Sequence, residues 1–111
     1  MEQFNKVHIR GIVGNARIKV IGDTELAHFS VATDRVFKNR SGEAVVDTTW
    51  HSVTAFKVTA FKKDRFPDFA GLVKGARVEV KGRLYNNRYT DQEGIERSTV
   101  EIIANEITFV E

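Results

Sequence analysis

Trp50 and Phe56 lie in the stretch Thr48-Thr49-Trp50-His51-Ser52-Val53-Thr54-Ala55-Phe56. A β-strand alternates its side chains between two faces, so both rings share a side with Thr48, Ser52 and Thr54. Thr49, His51, Val53 and Ala55 take the other side. Rings interleaved with hydroxyls describe a wet face rather than a dry core. Flat aromatic surfaces open to solvent can stack unpaired bases, and they accept any base because every base has a π-face. At about 3.3 Å per residue the two rings stand roughly 20 Å apart, at different points along a bound strand. The competing reading is a pair of half-buried core aromatics.

A second set of rings carries cations beside it. Tyr85 and Tyr89 fall in a run that also holds Arg83 and Arg88. Stacking with phosphate neutralisation is one reading, and ordinary surface tyrosines on an edge strand the other. Lys62-Lys63-Asp64-Arg65 reads as an exposed charged loop, equally consistent with solubility and with binding. Catalysis finds no support. His8, His28 and His51 fall on separate predicted strands without metal-ligand or base–nucleophile spacing. Gly11 and Gly14 open no helix, so they form no phosphate-cradling loop and read as strand bends. The acidic residues of the last strand alternate with apolar ones, as on a solvated face.

The elements that must hold these residues are mostly strands. Phe4 to Gly14 alternates, with Val7, Ile9, Gly11 and Val13 on one side and Lys6, His8, Arg10 and Ile12 on the other. Arg17 to Ile21 reads as a short separate strand before a Gly22-Asp23 turn. Glu25 to Phe37 is a long strand with Ala27, Phe29 and Val31 inward, and Lys38 to Glu43 turns the chain with Lys38 and Arg40 near its tip. The aromatic stretch follows from about Val45 and continues through Lys57-Val58-Thr59. Pro67 is placed to start a short helix running to about Val73, with Phe69, Leu72 and Val73 on one side, and Gly75 ends it. Ala76, Val78, Val80, Gly82 and Leu84 then oppose Arg77, Glu79, Lys81, Arg83 and Tyr85. A hairpin turn at Asp91-Gln92-Glu93-Gly94 leads into Ile95 to Val110. There the inward set passes from Val100 and Ile102 to Ile107 and Phe109, which requires a bulge near Ala104-Asn105.

The chain of 111 residues, 41% hydrophobic and 29% charged, has the size and composition of one domain. It has no cysteine, which excludes disulfides and thiolate metal sites and makes the cytoplasm the default. No apolar run is long enough to span a bilayer, and the first residues contain no secretory signal. Residues 1–90 hold 16 Lys and Arg against 9 Asp and Glu, whereas residues 91–111 hold 1 against 6. The net charge of +2 therefore conceals a basic body and an acidic final strand.

Several motifs, in order and over nearly the whole chain, resemble the bacterial single-stranded DNA-binding proteins. They are Asn5-Lys6-Val7-x-Ile9-x-Gly11-x-x-Gly14, Phe29-Ser30-Val31-Ala32-Thr33, Thr48-x-Trp50-His51-x-Val53-x-x-Phe56, Leu72-x-Lys74-Gly75, Val80-x-Gly82-Arg83-Leu84 and Tyr89-Thr90-Asp91-x-x-Gly94. The resemblance implies an all-β, five-stranded OB-fold Greek-key barrel with one short helix and extended hairpin arms. It further implies a homotetramer, a dimer of dimers, that wraps single-stranded DNA without sequence preference and serves replication, recombination and repair. Carried over by position, the stacking rings are Phe37, Trp50, Phe56 and Tyr89, with phenylalanine and tyrosine at Phe37 and Tyr89 where the family often has tryptophan. The basic track is Lys6, Lys38, Arg40, Lys74 and Arg88, joined by Arg83 and Tyr85 on the same predicted face. His8, Arg10 and His51 match subunit-contact positions. No cofactor or metal is implied, nor any enzymatic activity, and the cell compartment implied is the cytoplasm, at the nucleoid.

Three departures accompany the resemblance. His8 and Arg10 stand where the family is usually apolar, the segment from Lys57 to Val73 is longer than usual, and the chain stops at Phe109-Val110-Glu111. The family's acidic tail, its route to replication and repair partners, has no counterpart in these residues. The alternatives are a tail-less variant and a truncated chain. Two rival functions stay open at this level: another OB-fold nucleic-acid module, primosomal or RNA-binding, and a protein–protein assembly module.

Overall fold

Alternating apolar residues bring five strands around one core. The computed structural model describes residues 1–58 and 65–111. Its strands are β1 (Val7–Ile21), β2 (Thr24–Lys38), β3 (Ala44–Val58), β4 (Arg77–Thr90) and β5 (Glu96–Phe109). They close in the order β1-β2-β3-β5-β4, with β1 pairing β4 to complete the ring. All pairings are antiparallel except β3 with β5, where Val53 faces Ile102 and Thr54 faces Ile103 in parallel. This is the OB-fold barrel expected from the sequence.

The inward sets are those of the alternation. Val13, Phe29, Val31, Val53, Val78 and Val80 are buried, joined by Ala27, Ala55, Ile102, Ala104 and Ile107. Gly11 lets β2 pass close, since a Cβ there would collide with the Ala32 carbonyl oxygen. On β5 the register slips between Lys81–Glu106 and Gly82–Ala104, which leaves Asn105 unpaired. That bulge is why Ala104 and Ile107, three positions apart, both point inward.

The structure corrects four details. Arg17 to Ile21 is no separate strand. It continues β1 past a register shift between Val13 and Ala16. The helix expected from Pro67 to Val73 is a single 3-10 turn, Phe69–Gly71, capped by the Asp68 carboxylate accepting from the Ala70 N–H at 3.0 Å. A segment that short cannot offset helix nucleation by its own hydrogen bonds, so packing decides its form. Phe69 and Leu72 are buried as predicted, but Val73 is exposed. Leu84 and Val100, expected inward, are also exposed, because β4 and β5 run on beyond the barrel where no core lies beneath them. Phe109, also expected inward, sits opposite Val78 at the barrel end with its ring over Gly71 and is 42% exposed. Thr54, placed on the wet face, is only 7% exposed. Its hydroxyl donates to Glu101 Oε2 at 3.3 Å and lies 2.9 Å from His28 Nδ1. The expected loop Lys62-Lys63-Asp64-Arg65 and the end of the third strand at Thr59 fall, apart from Arg65, outside the described residues.

The β2–β3 and β4–β5 hairpins extend from the barrel as arms, and both end in the same turn. Asn39 Oδ1 accepts from the N–H groups of Ser41 and Glu43, at 3.0 Å each. Asp91 Oδ1 accepts from those of Glu93 and Ile95, at 2.9 Å each. Gly42 (φ 79°) and Gly94 (φ 78°) take the left-handed position that each turn requires.

Candidate nucleic-acid interface

Four cross-strand rows cover the outer face of β1, β2 and β3. Trp50 pairs with Ala32 and Ala32 with Ile12; Ser52 pairs with Ser30. Thr54 pairs with His28 and His28 with Arg17; Phe56 pairs with Leu26 and Leu26 with Lys19. Trp50 is 61% exposed and Phe56 53%, so both rings lie open on the outside of the barrel. The indole rests over the backbone of Gly14, where a Cβ would sit 2.5 Å from Cζ3 of the ring and 2.8 Å from Ser30 Oγ. Gly14 is thus the seat of the tryptophan. Beside it is a hollow of about 330 Å³ lined by Asn15, Arg17, His28, Phe29, Ser30 and Ser52.

The hydroxyl of Thr54 has one proton, and it goes to Glu101. With its proton on Glu101, Thr54 can accept from His28 in the tautomer that carries the imidazole proton on Nδ1. A polar chain His28–Thr54–Glu101 crosses three strands and puts a half-buried carboxylate on the β5 side of the aromatic face.

On the β4–β5 arm, Tyr85 stands opposite Glu101 and Tyr89 opposite Arg97, both exposed. The Arg83 guanidinium lies 5.8 Å from the Tyr85 ring centroid. Strand alternation gathers Arg83, Tyr85 and Tyr89 on one face of the arm and sends Arg88 to the other, opposite Ser98. Adjacency in the chain groups Arg88 with the tyrosines; the strand separates them. Phe37, at the far end of the β2–β3 arm, pairs with Val45 and so takes the ribbon face opposite Trp50. Arg35 covers its ring at 4.8 Å. Lys38 shares Trp50's side of the ribbon and Arg40 is exposed in the tip. Lys74 is exposed beside Gly75, whose N–H donates to the Val13 carbonyl at 2.8 Å; this holds Lys74 near the Gly14 seat. Lys6 is exposed just before β1, with its ammonium 5.6 Å from the Phe4 ring centroid.

The candidate subunit-contact residues divide. Arg10 Nη2 and His8 Nε2 both reach Glu79 Oε1, at 2.9 and 3.2 Å, across the β1–β4 pairing. The Arg10 hydrogen bond first, and then that from His8, holds the Glu79 carboxyl below its ordinary range. His51 is half-buried with Nε2 2.8 Å from Thr33 Oγ1. Among the described residues, no group of three or more His, Asp or Glu could hold a metal ion, and no helix is long and apolar enough to cross a membrane.

Residues 4–110 match the single-strand binding protein family. The chain belongs to that family. It is 34% identical over 108 residues to a single-stranded DNA-binding protein of Neisseria meningitidis, covering 94% of this chain and 58% of that protein. The chain thus spans little more than half the length of that relative. A mitochondrial single-stranded DNA-binding protein of Danio rerio is 32% identical over 117 residues, covering 98% of this chain and 77% of the relative. The structure described as Plasmodium falciparum SSB complex with ssDNA superposes with a TM-score of 0.78 at 28% identity, covering 100% of this chain and 98% of that one. A Thermus aquaticus single-stranded DNA binding protein, at 22% identity and a TM-score of 0.73, covers 97% of this chain and 51% of its own and shares the fold.

Arg17 and Lys19 escape a reading by sequence, because a separate short strand has no defined relation to Trp50. The signal that could place them is Gly14-Asn15-Ala16, three small residues that allow one strand to bend and continue.

Proposed function

We propose that residues 1–111 act as one domain that binds single-stranded DNA without sequence preference, by base stacking and phosphate neutralisation. The observation that carries this reading is the pair of open rings, Trp50 and Phe56, on the polar outer face of a closed barrel. Family membership supports it, as does the likeness to a chain solved with single-stranded DNA. On this reading Tyr85 and Tyr89 extend the stacking surface along the β4–β5 arm, and Phe37 offers a further ring on the opposite face of the β2–β3 arm. Lys6, Lys38, Arg40, Lys74, Arg83 and Arg88 neutralise phosphates. The protein protects single strands during replication, recombination and repair in the cytoplasm, as a homotetramer in which His8, Arg10 and His51 meet the neighbouring subunit. The role is binding and not catalysis.

Trp50 is the only tryptophan, so its emission reports the site directly. Addition of oligo-dT quenches it, and added salt reverses the quench as counterions return to the DNA. Trp50→Ala weakens binding by about 1–3 kcal/mol, roughly 5- to 150-fold. A Trp50→Ala protein that bound as tightly as the parent, measured by anisotropy of labelled oligo-dT, would remove the stacking platform. Light scattering giving the mass of one chain would remove the tetramer.

A further inference from the structure

The cations of the molecule are not equally available. Arg10 is held by Glu79, Lys81 by Glu106 and Arg97 by Asp91. Lys57 donates to the Pro67 carbonyl at 3.1 Å, and Arg35 and Arg83 lie on rings. Arg17 and Lys19 have no carboxylate within ion-pair distance among the described residues and are exposed. Both lie on the outer face that carries Trp50 and Phe56, Arg17 in the row of Thr54 and Lys19 in the row of Phe56. Two inter-strand spacings, roughly 9.5 Å, separate β1 from β3. The pairing of β1 with β4 covers Val7 to Ile12, so the far edge of β1 beside Arg17 and Lys19 is not taken by β4.

We propose that Arg17 and Lys19 form a phosphate rail along β1, so that a single strand crosses this face with its backbone over β1 and its bases turned toward Trp50 and Phe56. The inference rests on the single-strand reading above and adds to it the side of the face on which the phosphates run. Three observations converge on it. The two cations run parallel to the line from Trp50 to Phe56, with only β2 between. The hollow that Arg17 lines together with His28 and Phe29 also presents Asn15, Ser30 and Ser52, which are neutral and can hydrogen-bond a sugar or base edge. On the opposite flank, Glu101 sets a carboxylate beside Thr54, which repels phosphates from β5. Charge therefore falls from positive to negative across the face, and a nucleotide lying across it has one favoured orientation.

The test is the salt dependence of oligo-dT binding, followed by Trp50 emission on the intact chain. Removal of one phosphate-neutralising cation lowers the steepness of log K against log salt by about 0.7 for a single strand. The double variant Arg17→Ala/Lys19→Ala is expected to reduce the slope by roughly 1.4, while Arg17→Lys/Lys19→Arg keeps the parental slope. An alanine variant that keeps the parental slope, whatever its affinity, overturns the rail and leaves Arg17 and Lys19 as ordinary guards of a strand edge. A reduction in the charge-conserving variant as large as in the alanine variant overturns it too. Failure of the underlying reading looks different: the parent protein itself would show no salt-reversible quench.

Discussion

Trp50 depends on an atom that is absent. Its indole occupies the space where a side chain at Gly14 would begin, so the ring is held by β1 as much as by its own strand. Gly14→Ala forces a methyl group to within 2.5 Å of the indole, and either the ring or β1 must move. Overpacking of this kind costs about 1–3 kcal/mol of stability. The expected result is a shifted Trp50 emission maximum and weaker oligo-dT binding in a protein that still folds, seen by fluorescence and thermal denaturation together. An unchanged emission maximum with parental affinity would show that Gly14 does not seat the ring.

The arms show how one element repeats a solution with different chemistry. Asn39 and Asp91 bracket their turns with the same Oδ1 atom, but only Asp91 carries charge and also accepts from Arg97 Nε at 3.0 Å. The Ile95 N–H first, then Arg97 and Glu93, holds the Asp91 carboxyl below its ordinary range. A depressed carboxyl stabilises the fold above its unfolded-state pKa, and that contribution is lost as pH falls through the lower, folded value. The β4–β5 tip therefore loosens in acid while the β2–β3 tip does not. Amide exchange at Glu93 and Ile95, against Ser41 and Glu43, reads the difference. Asp91→Asn keeps the bracket, as Asn39 does, and abolishes the acid loosening; Asp91→Ala opens the tip at all pH values. Equal acid sensitivity of the two tips would contradict this role for Asp91.

At the scale of the whole molecule, the barrel is small and its arms are long. The radius of gyration is 16.5 Å, against about 13 Å for a compact chain of this length. Exposed Val36, Val46 and Val100 lie on those arms, where strand alternation continues without a core to cover it. Stability is therefore concentrated in the barrel and in its plug, the 3-10 turn Phe69–Gly71 that adds Phe69 to the buried core. Phe69 is fully buried, edge-on to Phe66 at 6.0 Å between centroids, with the Lys57 ammonium 5.3 Å from its ring. Phe69→Ala is expected to cost about 3–5 kcal/mol in chemical denaturation, with aggregation if the barrel opens. A cost below about 1 kcal/mol would mean the barrel closes without its plug.

Period-two alternation is a local property of the chain, so the sequence alone determined the strands other than the continuation of β1, the inward faces at Phe29, Val31, Val53, Val78 and Val80, and the outward rings at Trp50 and Phe56. The Asn105 bulge was legible for the same reason, because a change of parity is written in consecutive residues. Tertiary structure decided what alternation cannot encode: which stretches have a core beneath them, and which side chains on different strands become neighbours. Leu84 and Val100 alternate as core residues do and yet lie in an arm; Arg88 sits next to Tyr89 in the chain and faces away from it. Arg17 came onto the face of Trp50 through the bend of β1 and its register with β2. Pairing between distant segments sets such neighbours, and no window of sequence contains it.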